Sequence, residues 1–128
     1  MTYLKYEEVL IIHAKIIDET GGLHGVRDIH RIKSLIERPK MQFGGKDLYL
    51  FMFKKASVYF ESCAHDHPFV DGNKRTAISI VARFLFLNGF ELTATNAKLE
   101  GFVLNTVVKK YPLEKMADWF KKHSKKIK

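Results

Sequence analysis

His67-Pro68-Phe69-Val70-Asp71-Gly72-Asn73-Lys74-Arg75-Thr76 runs without a break into Ala77-Ile78-Ser79-Ile80-Val81-Ala82-Arg83-Phe84-Leu85-Phe86-Leu87. The second half is apolar around most of a helical circumference, the pattern of a helix packed on several sides, with Asn88-Gly89 as its stop. The first half gathers a histidine, a carboxylate, a Gly-Asn turn and two cations at that helix start. Free backbone N–H groups and the helix dipole attract anions there, and Lys74 and Arg75 add full charges. The spacing predicts a polyphosphate pocket on the stiffest element of the chain. Asp71 is the candidate magnesium ligand, because Mg2+ takes one or two carboxylates plus phosphate oxygens and water. His67 is the candidate general base for a hydroxyl.

Working outward, Tyr3 to about Glu19 carries Leu4, Val9, Leu10, Ile12, Ile16 and Ile17 near helical spacing, with His13 as a core or groove-lining residue. Gly21 to Gly25 reads as a flexible loop. Asp28 caps a helix over Ile29–Glu37, which Pro39 ends. Gly44-Gly45, between Met41-Gln42-Phe43 and Asp47-Leu48-Tyr49, supplies the positive φ angles of a tight hairpin. Leu48, Phe51, Met52, Ala56, Tyr59, Phe60 and Cys63 form the stripe of a helix over Leu48 to Ala64. Phe90 to Thr93 is extended. Thr95 or Asn96 caps a helix to about Val108, and Pro112 opens a last one from Leu113 to about His123.

The chain has 128 residues, 46% of them hydrophobic and 28% charged. That is one domain, residues 1–128, large enough for a single core and too apolar for wholesale disorder. Ile78–Leu87 is too short for a bilayer and Met1-Thr2-Tyr3-Leu4-Lys5 lacks a signal-peptide pattern, so no membrane contact and a cytoplasmic location are expected. Cys63 is alone and reads as a packing thiol. The net charge of +8 is concentrated in Lys121, Lys122, Lys125, Lys126 and Lys128, read as a frayed solvated tail, so direct nucleic-acid binding is not expected. His65 and His67 do not share a helical face and no further ligands stand out, which argues against a zinc or iron site.

The motif resembles that of the Fic superfamily, HPFx(D/E)GNxRxxR in its adenylylating branch, and more closely the HxFxDxNKR of the Doc (death-on-curing) branch. Gly25-Val26-Arg27-Asp28, Glu37-Arg38-Pro39, Phe43 to Tyr49 and Phe84 to Phe90 match Doc-like sequences in the same order. The resemblance implies an all-α Fic/Doc-like helical bundle around a central buried helix, with a small β-hairpin flap. It implies His67 as the base, Asp71 on Mg2+, Gly72, Asn73, Lys74 and Arg75 on the phosphates of ATP, and Phe69 as the peg that fixes the loop to the core. Phe43, Gly44, Gly45 and Lys46 would form a flap whose edge docks the target protein.

Adenylylating relatives have a glycine at the place of Lys74 and a second arginine at the place of Ile78. A lysine obstructs the α-phosphate position and binds anionic oxygens itself, which favours transfer of the γ-phosphate. The resemblance therefore implies a protein kinase of a toxin-antitoxin pair, with elongation factor Tu as the family's target and a small antitoxin that binds in trans. Asn96-Ala97-Lys98-Leu99-Glu100-Gly101 is a near miss to the inhibitory helix of Fic enzymes, and the arginine it would pair with is absent. Two other readings compete. The same fold could transfer AMP, or the chain could be a basic nucleic-acid-binding or interaction module in which His67 and Asp71 only stabilise a turn. The second leaves unexplained why His, Asp, Lys and Arg converge on one helix start.

Overall fold

A computed structural model describes residues 1–127. Six helices carry the chain: α1 (Tyr6–Thr20), α2 (Ile29–Glu37), α3 (Met52–Ala64), α4 (Asn73–Leu87), α5 (Asn96–Val108) and α6 (Leu113–Lys122). A short 3-10 turn, Arg38–Lys40, follows α2 with Pro39 inside it. The helical bundle expected from the sequence is the fold.

α3 and α4 form the centre, and α3 also packs along α6 and α2. α4 buries Thr76, Ala77, Ile80, Val81, Phe84 and Leu85, a wide face at helical spacing. Its burial is broad but not all round, since Phe86 and Arg83 face solvent. Tyr59 and Phe60 of α3 fill the space between helices, Tyr59 against Phe84 and Phe60 against Phe102 and Phe120. Each such fully buried ring contributes roughly 1.5–3 kcal/mol of transfer free energy. The Tyr59 hydroxyl also accepts the N–H of Leu4, so the segment before α1 is tied to the core.

Three expectations are corrected. α3 starts at Met52, and Leu48 and Phe51 face solvent rather than the stripe, because Phe51 is the extended residue before the first turn. The hairpin β1 (Gln42–Phe43) with β2 (Lys46–Asp47) forms around Gly44 and Gly45, both at positive φ, but it is not the only sheet. β3 (Phe90–Leu92) pairs antiparallel with β4 (Ser124–Lys126) in the register Phe90 to Lys126 and Leu92 to Ser124. The expected frayed tail is therefore ordered as far as Lys126, with Lys121 and Lys122 in the last turn of α6 and Lys125 and Lys126 in β4, and Lys128 lies outside the described residues. Its side chains stay in water as charge demands, so no apolar alternation signals it, and the pairing rests on backbone groups of an otherwise open edge.

Candidate functional site

The motif loop is held from three sides. Asn73, the first residue of α4, turns its buried side-chain amide back on the loop: Oδ1 accepts the N–H of Phe69 and Nδ2 donates to its carbonyl, both at 3.0 Å. Phe69 is buried, its ring stacked on His13 at 3.7 Å between centroids. From outside, Val26 bridges Phe69, and the N–H groups of Arg27 and Asp28 both donate to the Pro68 carbonyl. The Arg27 side chain reaches the carbonyls of His67 (2.7 Å) and Asp66 (3.0 Å), and Arg31 joins it at Asp66. These clamps leave the His67 side chain exposed, on a backbone with φ of 51°, unusual for a residue with a side chain. Such a conformation costs free energy and persists where the surroundings over-determine it.

Asp71 sits one residue before the helix cap. Its Oδ2 accepts the N–H of Leu23 at 3.1 Å and its Oδ1 that of Gly72 at 2.8 Å. Those two bonds, the Leu23 N–H foremost, hold its carboxyl below the usual carboxylate range, so the group is an anion at neutral pH. Arg75 stands 4.0 Å from it and donates to the Gly21 carbonyl and the Thr20 hydroxyl. Asp71 and Arg75 thus pin the Gly21–Gly25 segment to the motif, which corrects its reading as a flexible loop. The sequence signal was there in the run of glycines: a Cβ on Gly22 would lie 2.6 Å from the Asp71 carboxylate, closer than any side chain permits.

No side chain caps α4. Gly72, at a φ of 72°, donates its N–H to Asp71 Oδ1 at 2.8 Å. Among the described residues, the N–H groups of Asn73, Lys74 and Arg75 carry no hydrogen bond, and these three form the open end of the helix. Lys74 is exposed and makes no ion pair among the described residues. It lines three adjoining cavities, of about 310, 400 and 440 Å³. The smallest is walled by His67, Asp71, Gly72, Asn73, Lys74 and Arg75. The second adds His65, Thr106, Lys110 and Tyr111, and the third runs between α1 and α5 over Ile16, Ile78, Leu99, Val103 and Leu104.

The five polar motif positions therefore converge on one small cavity, while Phe43, Gly44, Gly45 and Lys46 line none of the three. The hairpin is a separate protrusion with Phe43 84% exposed, anchored at its base by the buried Lys55 ammonium, 3.0 Å from both Asp47 and the Pro39 carbonyl. Sequence reasoning missed Arg27, Arg31 and His13 as supports of the motif. Arg27 lies in a stretch that matched the family, yet nothing local to it shows that its target is a backbone forty residues away.

A single carboxylate with anion-binding groups beside it fits Mg2+, which completes its shell with phosphate oxygens and water. Among the described residues no three His, Cys, Asp or Glu side chains gather as a transition-metal site would need. Among the described residues, no helix is long and apolar enough to cross a membrane.

Comparison with known proteins points the same way. A family model described as Fic/DOC family matches residues 3–85. A protein named Toxin Doc, from Mycolicibacterium smegmatis, is 37% identical over 92 residues, which cover 72% of this chain and 68% of that one. A protein named Protein kinase doc, from Escherichia phage P1, is 30% identical over 92 residues, covering 72% of each chain.

Proposed function

Because this chain belongs to the Fic/DOC family, we propose that it is a Doc-like toxin that transfers the γ-phosphate of ATP to a serine or threonine hydroxyl of a translation protein. The observation that carries the reading is the composition of one cavity: an exposed imidazole, an ionised carboxylate, and a helix start with unspent N–H groups flanked by Lys74 and Arg75.

Transfer to a hydroxyl needs the proton removed, the phosphate charge neutralised, and nucleophile and leaving group brought into line. In this reading the N–H groups of Asn73, Lys74 and Arg75 hold phosphate oxygens, and the two side chains add charge at the oxygens where it accumulates. Asp71 would hold Mg2+, which when bound neutralises charge on the phosphates. His67 accepts the proton of the incoming hydroxyl, and the clamps of Arg27 and Asn73 keep its backbone from yielding. Lys74 stands where relatives that transfer AMP have glycine, and Ile78 lines the α1–α5 groove where they place a second arginine. Both features favour the γ-phosphate next to His67.

The target belongs to the proposal: elongation factor Tu, the target associated with Doc proteins, reached in the cytoplasm, with the exposed hairpin around Phe43 as the docking edge. So does restraint in trans. The name of the mycobacterial relative is that of a toxin, and the toxin of such a pair is held by an antitoxin. The groove between α1 and α5, apolar on its floor with Lys74 and Arg75 at its rim, suits an amphipathic acidic segment of that partner.

The test is incubation of the protein, magnesium and target with ATP labelled at the α- or the γ-phosphate. Label passing to the target from the γ position alone is expected. Label from the α position would make the chain an adenylyltransferase, and no label with either would leave it a non-enzymatic module.

A further inference from the structure

His13 lies on α1, 58 residues before Asp71, is 4% exposed and belongs to none of the cavities around Lys74. Its Nε2 stands 2.8 Å from the carbonyl oxygen of Asp71. A carbonyl only accepts, so Nε2 must carry the proton and the ring is the Nε2–H tautomer. The ring lies flat on Phe69, with 3° between the planes.

We propose that His13 is a positioning residue which aims the Asp71 carboxylate through a single peptide unit. The carbonyl it grips belongs to the Asp71–Gly72 peptide, which is trans, so the Gly72 N–H points the opposite way. That N–H is the one that holds Asp71 Oδ1 at 2.8 Å. Imidazole, peptide plane and carboxylate thus form a relay in which rotation of one element is rotation of all three. Gly72 sits at a φ of 72° and by itself tolerates a flipped peptide, so the plane needs an external stop. His13 is that stop. The hydrogen bond sets the plane while the stack on Phe69 sets the height of the ring, and Phe69 is itself tied to Asn73 at the helix start. The carboxylate direction and the open N–H groups of α4 are therefore fixed from the same side of the core.

The inference rests on the reading of Asp71 as the Mg2+ ligand only for its functional consequence; the geometry of the relay stands alone. His13→Phe keeps an aromatic ring against Phe69 and removes the donor. His13→Gln places an amide nitrogen near the position of Nε2 and removes the ring. Proton NMR of the Gly72 amide, without metal or nucleotide, should show its hydrogen-bonded shift lost in His13→Phe and kept in His13→Gln. Calorimetric affinity for magnesium ADP should fall roughly 10–100-fold in His13→Phe, the usual loss when a group supporting a ligand is removed, with substantial recovery in His13→Gln. A Gly72 amide that moves while magnesium ADP affinity holds would uphold the relay and refute Asp71 as the metal ligand. An unmoved Gly72 amide in His13→Phe, or equal losses in both variants, would overturn the proposal. In the unaltered protein, nitrogen NMR should find His13 neutral and protonated at Nε2, and protonation at Nδ1 alone would overturn it without any variant.

Discussion

Asp71 Oδ2 accepts a hydrogen bond from the backbone N–H of Leu23 at 3.1 Å, and so joins the turn before α4 to the loop after α1 across 48 residues. That contact is possible only because the neighbouring residue is glycine. Gly22→Ala should therefore do two kinds of damage: strain at a φ of 116° and a methyl group 2.6 Å from the carboxylate. We expect a loss of roughly 1–3 kcal/mol of stability in urea denaturation, from the strain alone, and a rise of the Asp71 carboxyl pKa. Gly21→Ala, at a φ of 86° and a ψ of 170° that glycine alone adopts readily, should cost a similar amount, roughly 1–3 kcal/mol, through strain, but with open space around it should leave the Asp71 carboxyl unaltered.

Lys55 and Asp47 make an asymmetric pair, since the ammonium is 1% exposed and the carboxylate 38%. Removing the carboxylate leaves a buried cation with the Pro39 carbonyl as its main partner, whereas removing the cation leaves an anion already in contact with water. Asp47→Ala should therefore lower stability more than Lys55→Met does, although both free the base of the hairpin. Equal losses in chemical denaturation would contradict the assignment of the buried charge.

Burial holds the His13 and His65 pKa values below the ordinary histidine value of 6.5. A histidine kept neutral in the folded state takes up its proton more readily when unfolded. Stability from these two residues is complete above pH 6.5 and is lost as pH falls through the window between 6.5 and their depressed folded values. The titratable and charged groups that act on His13 are His24, Asp71 and Arg75, and those that act on His65 are Glu61, Asp66, His67 and Lys74. Thermal unfolding should show Tm falling on mild acidification in that window, with a shallower fall in His13→Gln. A Tm that rises there would contradict the burial argument.

Much of this was legible in the sequence because it is local. The caps Asp28 and Thr95, the Gly44-Gly45 turn and the start of α6 after Pro112 each depend on a few neighbours, and each stands where the pattern put it. The convergence of His67, Asp71, Lys74 and Arg75 is likewise written within nine residues. The supports were not legible. Arg27 on the His67 carbonyl, His13 on the Asp71 carbonyl and Leu23 on the Asp71 carboxylate join residues 40 to 58 apart through backbone atoms. Backbone atoms are the same in every residue, so no side-chain pattern announces them. β4 escaped for the related reason that a lysine-rich strand pairs by its backbone while its side chains look like those of a tail.

The central claim is that His67 takes the proton of a hydroxyl beside a triphosphate held at the start of α4. The most direct measurement is the rate at which γ-label passes from ATP to the target with the unaltered chain and with His67→Ala, run beside calorimetric binding of magnesium ATP. Loss of a general base should slow transfer about 10²–10⁴-fold and leave nucleotide affinity within about twofold. A His67→Ala protein that binds nucleotide and still transfers label at the original rate would contradict the account.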